Sequence, residues 1–252
     1  MNATTGSALQ NIRYIMGREL RAYFATPLAY VFLVIFLVLV GVFTFYVGNF
    51  YERGQADLQS FFGFHPWLYL FLVPAIAMRS WAEERKSGTI ELLLTLPIRM
   101  GHAVLAKFLA AWLFVALALA LTFPMWITVN YLGNPDNGAI LAGYLGSWFM
   151  AGGYLAIGIC ISAATRSQVI AFIISFVVCM LFTLSGFPLI IELVRGWLPA
   201  VLVEGVSSLS FLTHFQAISR GVLDLGDVFY FLIQISFWLY ASAVVIEMTK
   251  AD

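Results

Sequence analysis

The chain has 252 residues, of which 62% are hydrophobic and only 10% charged, and its 13 Lys and Arg balance its 13 Asp and Glu. An average soluble domain carries about 25% charged residues, so a soluble globular fold is excluded. Residues 22–51, 58–78, 108–135, 137–165, 167–191 and 228–246 contain no Asp, Glu, Lys or Arg and together cover more than half of the chain. A helix needs about 20 mainly apolar residues to cross a bilayer core, and in lipid its backbone must satisfy itself. The sequence therefore predicts an all-α membrane protein with six transmembrane helices.

Residues 1–26 are polar, hold Arg13, Arg18 and Arg21, and lead into an apolar run too long for a cleaved signal. The first span is expected to remain in the mature chain. Within this stretch Ile12, Ile15, Met16, Leu20 and Tyr23 share one helical face and Arg18 and Arg21 the other. Only Glu19 interrupts the apolar stripe. Thr26 and Pro27 tie this helix to the first span, so 10–26 is expected to lie in the membrane interface with its basic face toward lipid headgroups.

Pro74 and Pro124 are expected to kink spans two and three, since each removes a backbone donor and crowds the preceding turn. Span four pairs Ala142 with Gly146 and Gly158 with Ser162, a small-xxx-small spacing that predicts a tightly packed central helix. Cys160 and Cys179 lie in apolar runs and read as small buried hydrophobes.

Between spans two and three, residues 79–97 form the densest charge cluster. Ser80 and Glu83 have capping-box spacing, Gly88 weakens the helix midway and Pro97 ends it. One bent helix or two short ones are expected, charged at first and apolar afterwards. Such a segment suits docking to a soluble partner, its charges setting register while Ile90, Leu92 and Leu93 fill a groove. A solvated loop with its leucines resting on the membrane fits the same residues.

Residues 190–227 are apolar but broken by Glu192, Arg195, Gly196, Pro199 and Glu204, so a full crossing would bury charge. Short re-entrant helices are expected there, with Asp227 as N-cap of the last span and Asp224 sharing that task. With the N-terminus cytoplasmic, Arg13, Arg18, Arg21, Arg79, Arg85, Lys86, Arg99, Lys107, Arg166 and Lys250 fall inside, and only Arg53, Arg195 and Arg220 outside. That asymmetry predicts both termini on the cytoplasmic side.

No G-x-x-x-x-G-K-[ST] sequence occurs, so ATP-driven work would need a partner. No Asp, Glu, Lys or Arg sits near the middle of a span, as an ion-coupled secondary transporter would require. His65, His102 and His214 lack metal spacing and read as lone interfacial residues. An intramembrane enzyme would need a carboxylate pair, a Ser/His pair or a metal cluster at membrane depth, and none is visible. These sequence features predict no catalytic residue and no metal site.

Glu84, Gly88, Thr89, Glu91, Leu93, Leu94 and Pro97 follow the pattern E-x-x-x-G-T-x-E-x-L-L-x-x-P, which resembles the signature of ABC-2-type transporter permeases. The likeness continues through residues 104–108, with Ala106 where Gly is often found, through Glu19, Leu20 and Pro27, and through 219–224. The run AEER-x-x-GTIE-x-LLT-x-P together with TRSQVIA at 165–171 is most similar to the gliding-motility-type permeases. The resemblance implies one ABC-2-type transmembrane domain over 1–252 in a bacterial inner membrane. It implies a homodimer paired with two cytoplasmic ABC ATPase subunits, which bind the ATP and Mg; this chain itself binds no cofactor. It makes 10–26 the elbow helix, with Arg18, Glu19 and Arg21, and 79–97 the coupling segment, with Arg79, Glu83, Glu84, Arg85, Gly88, Thr89, Glu91, Leu93 and Pro97. The subgroup adds an auxiliary membrane protein with a large outer domain, bound through 190–227. Membrane lipid is the remaining partner, and nucleic acid is not one. Nothing in the uncharged spans selects a substrate, and a secondary transporter or an intramembrane enzyme is the alternative.

Overall fold

The computed structural model describes residues 4–91, 99–195, 199–222 and 224–248, and among these every regular element is helical. Helix α1 (Thr4–Ala25) ends where Thr26 adopts an extended backbone and Pro27 opens α2 (Pro27–Val42), which a turn of π-helix, Phe43–Val47, prolongs. A proline in the first turn forfeits no bond, because that N–H would have no intrahelical partner. Helix α3 (Gln59–Ala77) runs through Pro66 and Pro74 without interruption, and after the single residue Met78 the chain enters α4 (Arg79–Ser87).

Pro74 leaves α3 continuous, whereas Pro124 coincides with a break between α5 (Met100–Ala120) and α6 (Phe123–Leu132). At that break the Thr122 hydroxyl donates to the Leu119 carbonyl at 2.6 Å and lies 3.0 Å from the Tyr144 hydroxyl, so the freed polar groups are satisfied locally.

Helix α7 (Asn137–Ala164) is the hub, as its small residues predict. Asp136 caps it, accepting from the N–H groups of Gly138 and Ala139 at 2.9 and 3.1 Å. In its most apolar window 78% of residues are buried, against 22% for the first span, Ala29–Val47. Ala77 of α3 seats directly on Gly158, and a Cβ added at Gly153 would lie 2.9 Å from the Phe211 ring. These backbones approach because no side chain stands between them. Trp112 of α5 stacks on Trp148 at 4.0 Å, and each indole N–H donates to the other residue's carbonyl, at 2.8 and 3.1 Å. The reciprocal pair fixes α5 against α7 and leaves neither indole donor unsatisfied in an apolar setting.

Among the described residues five helical stretches are long and apolar enough to cross a membrane: Ala29–Val47, Gln59–Ser87, Met100–Leu132, Asn137–Ala164 and Leu225–Met248. The charge-free run 167–191 is not one helix. Helix α8 (Gln168–Leu184) stops after 17 residues, about 26 Å at 1.5 Å per residue, the short end of the crossing range. The chain turns at Gly186, where a Cβ would strike the hydroxyls of Ser210 and Thr213, and Pro188 starts α9 (Pro188–Arg195).

Helices α10 (Ala200–Ser208) and α11 (Phe211–Ser219) follow, bent by 64° to one another, and would add a sixth span if they cross as one unit. They differ in character. Helix α11 buries Phe211, Phe215 and Ile218, the last two against Gly146 of α7, whereas α10 exposes Val201, Leu202 and Val206. Helix α12 (Leu225–Met248) begins before the expected cap: Asp224 accepts from the Gly226 N–H at 3.1 Å, and Asp227 lies inside the first turn.

Candidate functional site

At the end of the bundle where α7 finishes, α1, α4 and the start of α5 meet. Met78 is itself helical (φ −56°, ψ −29°), so α4 does not start from a capping box; Ser80 lies inside it and caps nothing. Glu83 is taken by Arg79 instead, in a two-pronged i,i+4 pair at 3.0 and 3.2 Å. Gly88 ends the helix in the left-handed region (φ +74°), the conformation a helix C-terminus commonly adopts and that glycine tolerates best. Helical backbone resumes at Thr89 and continues to Glu91. Leu93, Leu94 and Pro97, with the expected stop at Pro97, lie outside the described residues.

The missing cap comes from another helix. Ser162 Oγ of α7 accepts from the N–H groups of Trp81 and Ala82 at 3.1 and 3.0 Å and donates to the Met78 carbonyl at 2.8 Å. One hydroxyl thereby satisfies both sides of the α3–α4 joint. Arg85 adds a bond to the Ala163 carbonyl.

Lys107 is the centre of the arrangement. Its side chain is 4% exposed, and its ammonium donates to Glu84 Oε1 at 2.8 Å, to the Ser80 carbonyl at 2.9 Å and to Glu19 Oε1 at 3.3 Å. It also lies 4.9 Å from the centre of the buried Trp81 ring. An ammonium has three donors, and each has an acceptor here. The interruption of the apolar stripe of α1 by Glu19 is thus explained: that carboxylate points inward to meet a buried cation. Burial and the Glu19 charge also raise the pKa of the Tyr23 phenol on the same helix.

The predicted site residues therefore separate. Arg18 and Arg21 lie on the outer face of α1, where Arg18 reaches Glu19 at 2.9 Å. Glu83, Gly88, Thr89 and Glu91 are exposed, and Arg79 is partly so. Glu84 is not the exposed docking charge it was expected to be, for Lys107 holds it inward. Lys107 was legible only as a motif position; the signal that marks it is a charge on a span otherwise buried on that side.

Two histidines also depart from expectation. His65 is fully buried within α3, donating from Nδ1 to the Phe61 carbonyl at 2.9 Å among Phe36, Phe61, Phe62 and Tyr69. His214 is not alone: Nδ1 is 2.5 Å from Asp227 Oδ1, Nε2 is 2.9 Å from the Ser208 carbonyl, and the ring stacks on Tyr230. This pairing is why Asp227 is no helix cap. Among the described residues no group of three His, Cys, Asp or Glu could hold a metal, and Cys160 and Cys179 are free and buried.

A bundle of apolar helices with a charged helix seated at one end defines a multi-pass membrane protein. Residues 14–246 match the family described as ABC-2 family transporter protein, and the chain belongs to that family. It is a permease subunit of an ABC transporter, a transmembrane component of a kind that associates with ABC ATPase partners. Comparison with curated proteins finds no match.

Proposed function

We propose that this chain dimerises in a bacterial inner membrane with both termini cytoplasmic, and that two ABC ATPase subunits drive it to export a cargo or do mechanical work. In this reading α1 is the elbow helix, α4 and the residues up to Pro97 are the coupling segment, and α9 to α11 are re-entrant helices on the outer side. ATP and Mg are bound by the ATPase subunits, and this chain contributes no catalytic group. The clustering of Lys and Arg at the α4 end supports the orientation. The AEER and TRSQVIA runs favour the gliding-motility-type subgroup, with an auxiliary membrane protein bound at the outer segment.

The observation that carries the reading is the joint at Ser162 and Lys107. An ATPase pressing on the exposed edge of α4, at Glu83, Lys86 and Gly88, moves a helix that continues from α3, is bonded to α7 and α5, and reaches α1 through Lys107. The push cannot be absorbed locally, because buried hydrogen bonds resist being left unmade. It passes to four helices together.

The test is co-purification with an ABC ATPase subunit co-expressed beside the chain, followed by ATPase assay. A two-plus-two assembly with vanadate-sensitive turnover is expected, and Glu83→Lys with Glu91→Lys should release the ATPase while the permease stays folded and dimeric. A permease that purifies alone, or a double variant that retains its ATPase, would overturn the reading.

A further inference from the structure

Beside the Lys107 joint, α1, α2, α3, α4 and α5 surround a cleft of ≈ 470 Å³, within the range of about 300–1,000 Å³ typical of small-molecule sites. Its ends differ in chemistry. One part of the lining is apolar, with Val31, Phe32 and Ile35 from α2 and Leu72 and Ala75 from α3, and the part that α4 supplies at the mouth carries the charges of Arg79 and Glu83. Val31 and Ile35 are 50% and 42% exposed, so this wall opens sideways out of a helix that crosses the membrane.

The charges at the mouth are not equivalent. Lys107 is consumed by Glu19 and Glu84, whereas Arg79 and Glu83 keep 34% and 50% of their side chains exposed while lying 3.0 Å apart. The accessible mouth therefore presents one cation and one anion side by side, above an apolar slot open to lipid.

We infer that this cleft holds a zwitterionic phospholipid of the phosphoethanolamine type, one acyl chain lying between α2 and α3 and its headgroup spanning Arg79 and Glu83. The phosphate takes the N–H groups of Arg79 that Glu83 leaves free, two on Nη1 and one on Nη2, and the ammonium donates to the Glu83 carboxylate. A glycerol headgroup offers no cation and sets its phosphate against Glu83. A choline headgroup has no N–H to donate. The inference goes beyond the transport reading and does not depend on it.

The test is native mass spectrometry of the purified chain released from nanodiscs of equal parts phosphatidylethanolamine and phosphatidylglycerol, without ATPase or nucleotide. Wild-type protein should retain phosphatidylethanolamine over phosphatidylglycerol about tenfold, the size of one charge-assisted contact. Ala75→Trp should fill the slot and lose the retained lipid, with an unchanged gel-filtration profile. Glu83→Gln, at an exposed position, should keep a lipid but shift the preference to phosphatidylglycerol, because Arg79 is then left uncompensated. Equal retention of the two lipids by wild type, preference for the anionic one, or retention undiminished in Ala75→Trp would each overturn the inference. None of these results bears on ATPase binding, so the two readings fail separately.

Discussion

The two ends of the bundle fasten a short helix to its neighbours with a polar side chain, yet the fastenings differ in reach. Lys107 joins Glu19, which is 88 residues away, to Ser80 and Glu84, 27 and 23 residues away, and so ties three helices distant in sequence. His214 joins Ser208 and Asp227, 6 and 13 residues away, and so shapes one local turn of chain. The chemistry differs too. Lysine brings a donor for each of its three acceptors, whereas the His214 ring offers two nitrogens, one beside Asp227 Oδ1 and one beside the Ser208 carbonyl. The first junction is a tertiary clasp on which several helices depend, and the second orients α11 against α12.

The largest effect should come from breaking the clasp. Lys107→Met leaves Glu84 without its cation and Glu19 with only the exposed Arg18, and removing one partner of a buried pair costs about 3–5 kcal/mol. A thermal scan in detergent should show a clear fall in Tm, and limited proteolysis should release α1. Adding Glu19→Gln and Glu84→Gln should recover most of the loss; if it did not, packing by the lysine stem rather than charge would be what holds the joint.

Ser162→Ala should come next. It strips the acceptor from the Trp81 and Ala82 N–H groups, a penalty of about 1–3 kcal/mol for buried donors. Hydrogen exchange at these two amides should speed up while exchange elsewhere in α7 holds. Protection that stayed unchanged would remove Ser162 from the joint.

At the other end His214→Ala should cost about 1 kcal/mol and raise exchange only around 208–230. An effect that spread to α4 would erase the contrast drawn here between a tertiary clasp and a local one. The smallest effect on stability, within about 0.5 kcal/mol, is expected for Glu83→Lys, since its half-exposed carboxylate pairs with Arg79 alone among the described residues and exposed pairs contribute little. Its consequence should be read in ATPase co-purification, and a large drop in Tm would show that Glu83 is structural.

Much of the fold was legible because hydropathy and chain breakers act over short windows. The charge-free runs announced the spans, the stripe of Ile12, Ile15, Met16 and Tyr23 announced α1, and the glycines of 142–162 announced a packed centre. The readings that failed all concerned partners. Ser80 and Glu83 had the spacing of a capping box, but α4 continues from α3 and takes its cap from Ser162. Asp227 had the position of a helix cap, but His214 claims it. The run 167–191 lacked charge throughout, but Gly186 packs against Ser210 and the helix ends before it.

Glu83 and Glu84 condense the distinction. Adjacent and identical in type, they are equivalent to any rule that counts charge, and the sequence by itself determined that both lie on a helical stretch that Gly88 weakens. Only the tertiary structure decided that one faces out and the other meets a buried lysine. Helix endings follow from residues within one turn, whereas the cost of burying a charge is offset by a partner that the chain brings from far away.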